Sequence, residues 1–315
     1  MAEERQQLSF LKGMSSIGED IKRSFRQGDA LTRLILVQIA VYVLYLLLRI
    51  IGTLTQTGID VGVSRFIALP SDLLTLATRP WTLLSYMFFH QGFFHIFFNL
   101  LWLYFGGQLF MEYFGGRRLL STFLIGGLIG GVLYVLFYNI FPAFEAAVAV
   151  SNNRGASAGV MAIMVAIATY NPRFPVRLFF VLSVPLWGIA VGFVLLDLIG
   201  LGDGENAGGR IAHLGGAAFG YFMARAYRQG RDLTEGFSEL MDRVVGWFKP
   251  KSKLRPVYRS GKKAPSTSRS SSRKNGNRAD DQKRMDEILD KISRSGYDSL
   301  SKEEKDHLFK IGREQ

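Results

Sequence analysis

The sequence predicts an all-α, polytopic membrane protein: a six-transmembrane-helix bundle with a short, buried fourth helix. Three observations carry that prediction. Hydrophobic residues make up 48% of the 315-residue chain and charged residues only 20%. Charge-free apolar stretches such as Leu119–Phe144 and Leu178–Leu196 match the ~20 residues that a helix needs to cross a bilayer. Between them, small residues surround one serine in Gly155-Ala156-Ser157-Ala158-Gly159, and such residues let helix backbones approach closely inside a membrane.

Taken in order, residues 1–30 place Leu11, Met14, Ile17, Ile21 and Phe25 at helical spacing among charges. That pattern predicts a cytoplasmic amphipathic segment lying on the membrane surface. The membrane domain, residues 31–230, holds six spans near 33–52, 93–114, 118–141, 157–171, 177–200 and 209–228. Arg117, Arg118, Arg173, Arg177, Arg225, Arg228 and Arg231 then fall on one side, which the positive-inside rule makes cytoplasmic. Both termini are expected there, and the connection from about 53 to 92 lies outside. The N-terminus shows no short apolar core followed by a small-residue cleavage site, so no removed signal peptide is expected.

After the sixth span, Leu233, Phe237, Leu240, Met241, Val244, Val245 and Phe248 repeat at helical intervals. They predict a juxtamembrane amphipathic helix over 231–249. The formal net charge of +12 comes mostly from the next stretch, because residues 251–278 contain ten Lys or Arg and no Asp or Glu. A segment of that composition cannot bury a core, so 250–280 is expected to be a disordered basic linker with affinity for anionic lipid. No nucleic-acid partner is expected. Residues 281–315 regain an apolar pattern, broken at Gly296 and restarted by the capping box Ser301-Lys-Glu-Glu304, which predicts a small helical hairpin.

The chemistry lies in the fourth and sixth spans. From Ser157 to Asn171 the fourth span has about 15 residues, or roughly 22 Å of helix, against a hydrocarbon core of roughly 30 Å. If its inner end reaches the cytoplasmic boundary, Ser157 starts the helix below the outer surface. Irregular polar chain at that depth, such as Ser151-Asn152-Asn153, is tolerated only beside protein or a water-filled cavity. Spans two, four and six run in the same direction, so His95, Asn99, Ser157 and His213 share one layer near their starts. Gly215, Gly216 and Gly220 are read as one face of the sixth span, whose close approach to the fourth brings His213 to Ser157. A serine hydroxyl needs a base within hydrogen-bond reach, and histidine is suited to that role. The Ser157 N–H at a helix start, with the side chains of Asn99 and His95, would hold an oxyanion. No carboxylate stands out as a third member; Asp197 on span five could serve, but a Ser157–His213 dyad is the more economical reading.

At this point a resemblance becomes specific. Trp81, His90-Gln-Gly-Phe-Phe-His95-Ile-Phe-Phe-Asn99, Glu112 with Gly115, Gly155-Ala-Ser157, and Ala212-His213 with Gly216 and Gly220 resemble the rhomboid family of intramembrane serine proteases across residues 80–221. The resemblance implies catalytic Ser157 and His213, an oxyanion site of Ser157 N–H, His95 and Asn99, and supporting roles for His90, Gly155, Gly216 and Gly220. It also implies cleavage of transmembrane-anchored protein substrates near the outer membrane face, access past span five, and no metal or cofactor. The segments Ile288–Ile292 and Gly296–Leu300 resemble tails on rhomboids of Bacteroidetes-type bacteria, which implies a multi-pass protein of a bacterial inner (cell) membrane. Three positions depart from the family pattern: Ala158 after the serine, Met161 in place of an aromatic residue, and Thr82 after Trp81.

Other classes fare worse. With no cysteine in the chain, disulfides, thiolate catalysis and Cys-based zinc sites are excluded. His90 and His95 are five residues apart and no glutamate accompanies them, which does not make a metal-ligand face. His90 alone reads as structural, holding the outer loop by hydrogen bonds. A silent relative that escorts membrane clients would be expected to have lost Ser157 or His213. A transporter would be expected to show repeats and midplane charges.

Overall fold

The Asp29 carboxylate accepts the Thr32 N–H at 2.7 Å and starts helix α1, Ala30–Thr55; side-chain capping of this kind satisfies one of the free donors at a helix start. The computed structural model describes residues 22–178, 182–202, 206–248, 286–293, 296 and 299–305. The chain divides into two units, Met1–Pro250 and Lys251–Gln315.

In the first unit α1 is followed by α2 (Ile59–Ile67), strand β1 (Leu69–Pro70), α3 (Leu73–Thr78) and α4 (Thr82–Ser85). Next come α5 (Phe93–Phe114) and α6 (Gly116–Ile140), separated at Gly115, whose φ of +79° suits a residue without Cβ. Strand β2 (Asn152–Asn153) precedes α7 (Ser157–Tyr170) and pairs antiparallel with β1, Leu69 opposite Asn153 and Pro70 opposite Asn152. A hairpin of β3 (Pro175–Leu178) and β4 (Leu182–Pro185) leads to α8 (Leu186–Gly200), α9 (Ala207–Arg228) and α10 (Glu235–Phe248).

The unit is mostly helical, and among the described residues α1, α5 and α6 are long and apolar enough to cross a membrane. Helices α7 and α8 are apolar but shorter, at 14 and 15 residues. The fifth apolar segment differs from its expected form. A helix was expected from 177, whereas the β3–β4 hairpin occupies the start of that stretch and the helix begins at Leu186. Proline explains the boundary: Pro185 holds extended backbone (φ −67°, ψ 145°) immediately before α8, and a proline cannot donate to a preceding helical turn. The new start is fixed to the turn after α7, with Leu186 N–H donating to Phe174 O at 3.0 Å and Trp187 N–H to Pro172 O at 3.1 Å.

Helix α7 is the core, buried from Ala158 through Ala168. Its neighbours approach through glycine. A Cβ at Gly216 or Gly220 of α9 would overlap the carbonyl of Ala158 or Ala162, and one at Gly126 of α6 would overlap the Ala162 side chain. Lipid tails are as apolar as leucine, so helices in a membrane associate by such contacts rather than by a hydrophobic drive. Gly215, Gly216 and Gly220 of α9 do not share one neighbour, however. Gly215 points away from α7 to Gly130 of α6, where its Cβ would lie 2.8 Å from Gly130 Cα, because successive helical residues are about 100° apart.

Helix α10 is held to the start of α6: Arg118 pairs with Asp232 at 2.7 Å and Ser121 shares a hydrogen bond with Ser238 at 2.7 Å. At the other end of the chain, Leu11, Met14, Ile17 and Ile21 lie outside the described residues, and the helical turn at 22–27 leaves Phe25 exposed. The second unit carries a helix at 286–293, which Gly296 (φ +76°) terminates with an N–H to Ile292 O bond of 2.9 Å. The expected capping box is present, with Ser301 N–H on the Glu304 carboxylate at 2.7 Å and Glu304 N–H on Ser301 Oγ at 3.3 Å. Lys291 joins the two elements through Glu304 at 2.9 Å, and Ile288 and Leu300 are buried. The basic stretch 251–278 lies outside the described residues.

Candidate active site

Ser157 opens α7 behind Ala156, a helix start with no side-chain cap. Free N–H donors and the positive end of the helix dipole therefore meet at the serine. Gly155 makes the approach possible. Its φ is +116°, and a Cβ there would sit 2.6 Å from His95 Nε2 and 3.7 Å from Ser157 Oγ. Only glycine fits both the backbone and the space.

The segment before Ser157 is tied to residues far away in sequence. Gly155 N–H donates to Tyr86 O at 2.9 Å, and Ala156 N–H donates to His90 Nε2 at 3.2 Å. Tyr134 Oη donates to Ser151 Oγ at 2.9 Å, and Arg154 bonds Gln91, which in turn donates to Ser64 Oγ at 2.9 Å. His90 is fully buried and does not line the cavity; its contact is with the backbone of the serine loop.

One cavity of about 720 Å³ is lined by Ser157, His213, Asn99 and His95 together with Asp197 and Arg154. It lies where the first turns of α5, α7 and α9 meet the last turns of α8. At the opposite ends of α5, α7 and α9, Phe114, Tyr170 and Tyr227 form an aromatic cluster, so these three helices run in the same direction. The shared layer of polar residues is a consequence of that parallel arrangement. Asn99 is 6% exposed and donates one amide hydrogen to His95 O at 2.8 Å. An asparagine amide carries two donors, which leaves one for a ligand. Met161 and Met164 supply part of the apolar wall.

Two cavity residues were underweighted by sequence reasoning. Asp197 places its carboxylate oxygens 3.0 and 3.1 Å from His213 Nδ1; a lone acid inside an apolar helix was the available signal. Arg154 was not singled out, although it stands next to the serine loop in a polar run. Gly216 and Gly220 set the distance between α9 and α7 and do not reach the cavity. Among the described residues no cluster of three or more His, Cys, Asp or Glu could hold a metal ion.

Comparison with known proteins bears on the family of this segment. Residues 77–230 match the family model described as Rhomboid domain. These residues form a rhomboid domain. The chain is also 31% identical over 161 residues to RHOMBOID-like protein 12, mitochondrial, of Arabidopsis thaliana, an overlap of 49% of this chain and 48% of that protein. It thus spans about half the length of the curated relative that it matches. Residues 272–311 match a second model, a family of unknown function, DUF6576. The rhomboid domain contains the whole cavity, from Gln91 to His213.

Proposed function

We propose that the rhomboid domain is an intramembrane serine endopeptidase that cleaves transmembrane-anchored proteins near the outer membrane face. The observation that supports this reading most is the single cavity shared by Ser157, His213, Asn99 and His95 at the starts of three parallel helices. In this reading the chain crosses the membrane six times, by α1 and α5 to α9, with both termini on the arginine-rich side. Helix α7, about 21 Å long at 1.5 Å per residue, then covers only part of its crossing, the irregular chain before Ser157 covers the rest, and Ser157 lies below the surface inside a hydrated pocket.

The chemistry follows from the groups. Ser157 Oγ attacks the scissile carbonyl carbon while His213 Nε2 takes its proton. The carbonyl oxygen becomes an oxyanion, held by Ser157 N–H, the free Asn99 amide hydrogen and the His95 ring. Collapse breaks the C–N bond, and His213 returns the proton to the leaving amine. Water, deprotonated by His213, then attacks the acyl-serine ester and releases the carboxylate product with Ser157 restored.

The test is a comparison of wild type, Ser157→Ala and His213→Ala, each reconstituted with a fluorogenic single-span peptide. Cleavage by wild type alone supports the reading. Equal cleavage by Ser157→Ala, or an inert wild type that still binds the peptide, overturns it.

A further inference from the structure

We propose that Asp197 is a positioning residue for the base: its carboxylate fixes His213 with the proton on Nδ1, so that Nε2 presents its lone pair to Ser157. The proposal rests on the serine-protease reading above and adds a third member to it.

Both carboxylate oxygens of Asp197 lie within hydrogen-bond distance of His213 Nδ1, at 3.0 and 3.1 Å, and the two side chains are only 10% and 19% exposed. An ionised carboxylate only accepts hydrogen bonds, so Nδ1 must donate. A neutral imidazole with its proton on Nδ1 has its base nitrogen at Nε2, the tautomer that a serine nucleophile requires. An acid on an apolar membrane helix is costly unless it is partnered or functional, and Asp197 is partnered by the one histidine on α9.

The surrounding structure holds this pair in place. Arg210 of α9 donates to Leu196 O at 2.9 Å, one residue before Asp197. Its guanidinium lies against Gly200, where a Cβ would overlap it. The end of α8 is therefore pinned to α9 on the same side as His213. A carboxylate needed only to join two helices would be replaceable by a neutral hydrogen-bonding group. An asparagine, by contrast, can donate to Nδ1 and stabilise the wrong tautomer, which removes the base without removing the contact.

The experiment uses the full chain in proteoliposomes with the fluorogenic single-span peptide. Asp197→Asn is expected to lower kcat by ~10⁴-fold, as loss of the orienting carboxylate does in a serine protease, with KM within about twofold of wild type. Asp197→Ala is expected to recover at least about tenfold with added formate, which can occupy the vacated carboxylate position, and not with formamide. Equal effects of formate and formamide, or Asp197→Asn with a wild-type kcat, overturn the positioning role. Should Asp197→Asn fail to fold, the formate comparison on Asp197→Ala decides alone. The two readings fail separately: an inert wild type, or an unimpaired Ser157→Ala, sinks the protease reading. A Ser157-dependent wild type with a fully active Asp197→Asn sinks only the positioning role.

Discussion

Gly216 rests on the carbonyl of Ala158, one residue after Ser157, with no room for a Cβ between α9 and α7. His213 sits one helical turn before Gly216, so the closeness of the two backbones sets how far the imidazole stands from the serine. The same contact recurs a turn later between Gly220 and Ala162.

A methyl group at position 216 therefore has to push two helices apart. Overpacking of this kind costs about 1 to 3 kcal/mol, and Gly216→Ala is expected to melt below wild type and to lose cleavage disproportionately. Gly192→Ala on α8, where a Cβ meets nothing within 4 Å, is the control and should behave as wild type. Thermal unfolding in detergent with parallel cleavage assays checks both. A Gly216→Ala protein as stable and active as Gly192→Ala would contradict the packing argument.

Gly155 combines a φ of +116° with a Cβ position 2.6 Å from His95 Nε2. Gly155→Ala is expected to cost about 1 to 3 kcal/mol of backbone strain and to displace His95 from the cavity. The cleavage rate should fall more than the melting temperature indicates, because the strain is concentrated beside Ser157. Intact kcat in Gly155→Ala would show that this loop tolerates a different path.

The free amide hydrogen of Asn99 has no structural duty, unlike the one donated to His95 O. Asn99→Ala is expected to lower kcat by ~10²- to 10³-fold, as loss of a single oxyanion donor does, with KM little changed. Steady-state kinetics on the reconstituted protein separates the two parameters. A rise in KM at constant kcat would assign Asn99 to substrate binding.

These positions show what a single sequence reveals. Gly216 and Gly220, four residues apart, announce a close helix contact with α7, and Ser301 with Glu304 announces a helix start; both are local spacings and both are in the structure. Gly215 adjoins the first pair in sequence, yet it faces Gly130, because a glycine carries no sign of which neighbour it admits. The β3–β4 hairpin falls where the apolar pattern predicts helix, since the mainly apolar residues at 178–185 suit either form until Pro175 and Pro185 are weighed. Partners distant in sequence were illegible: His90 with Ala156, Tyr86 with Gly155, and Asp197 with His213 each join separate elements.

Asp232 gives a pH dependence on the α10 side. Burial pushes its carboxyl up, but hydrogen bonds from Thr234 and Arg118 outweigh that and hold it below its ordinary value of 3.8. A carboxyl lowered by folding stabilises the folded state fully above its unfolded value and loses that contribution as pH falls through the folded value. Asp232→Asn is expected to lower stability by about 0.5 to 1 kcal/mol at neutral pH, in the range of partly exposed ion pairs. The gap from wild type should close below about pH 4. Melting curves at a series of pH values check this, and a gap that persists in acid would contradict it.

Covalent labelling tests the central proposal most directly. A fluorophosphonate reacts only with an activated serine, so wild type, Ser157→Ala and His213→Ala are treated in proteoliposomes and the adduct is mapped by mass spectrometry. The expected result is one adduct, on Ser157, present in wild type and lost in both variants. Labelling of a different serine, or undiminished labelling of Ser157 in His213→Ala, would contradict a serine nucleophile activated by His213.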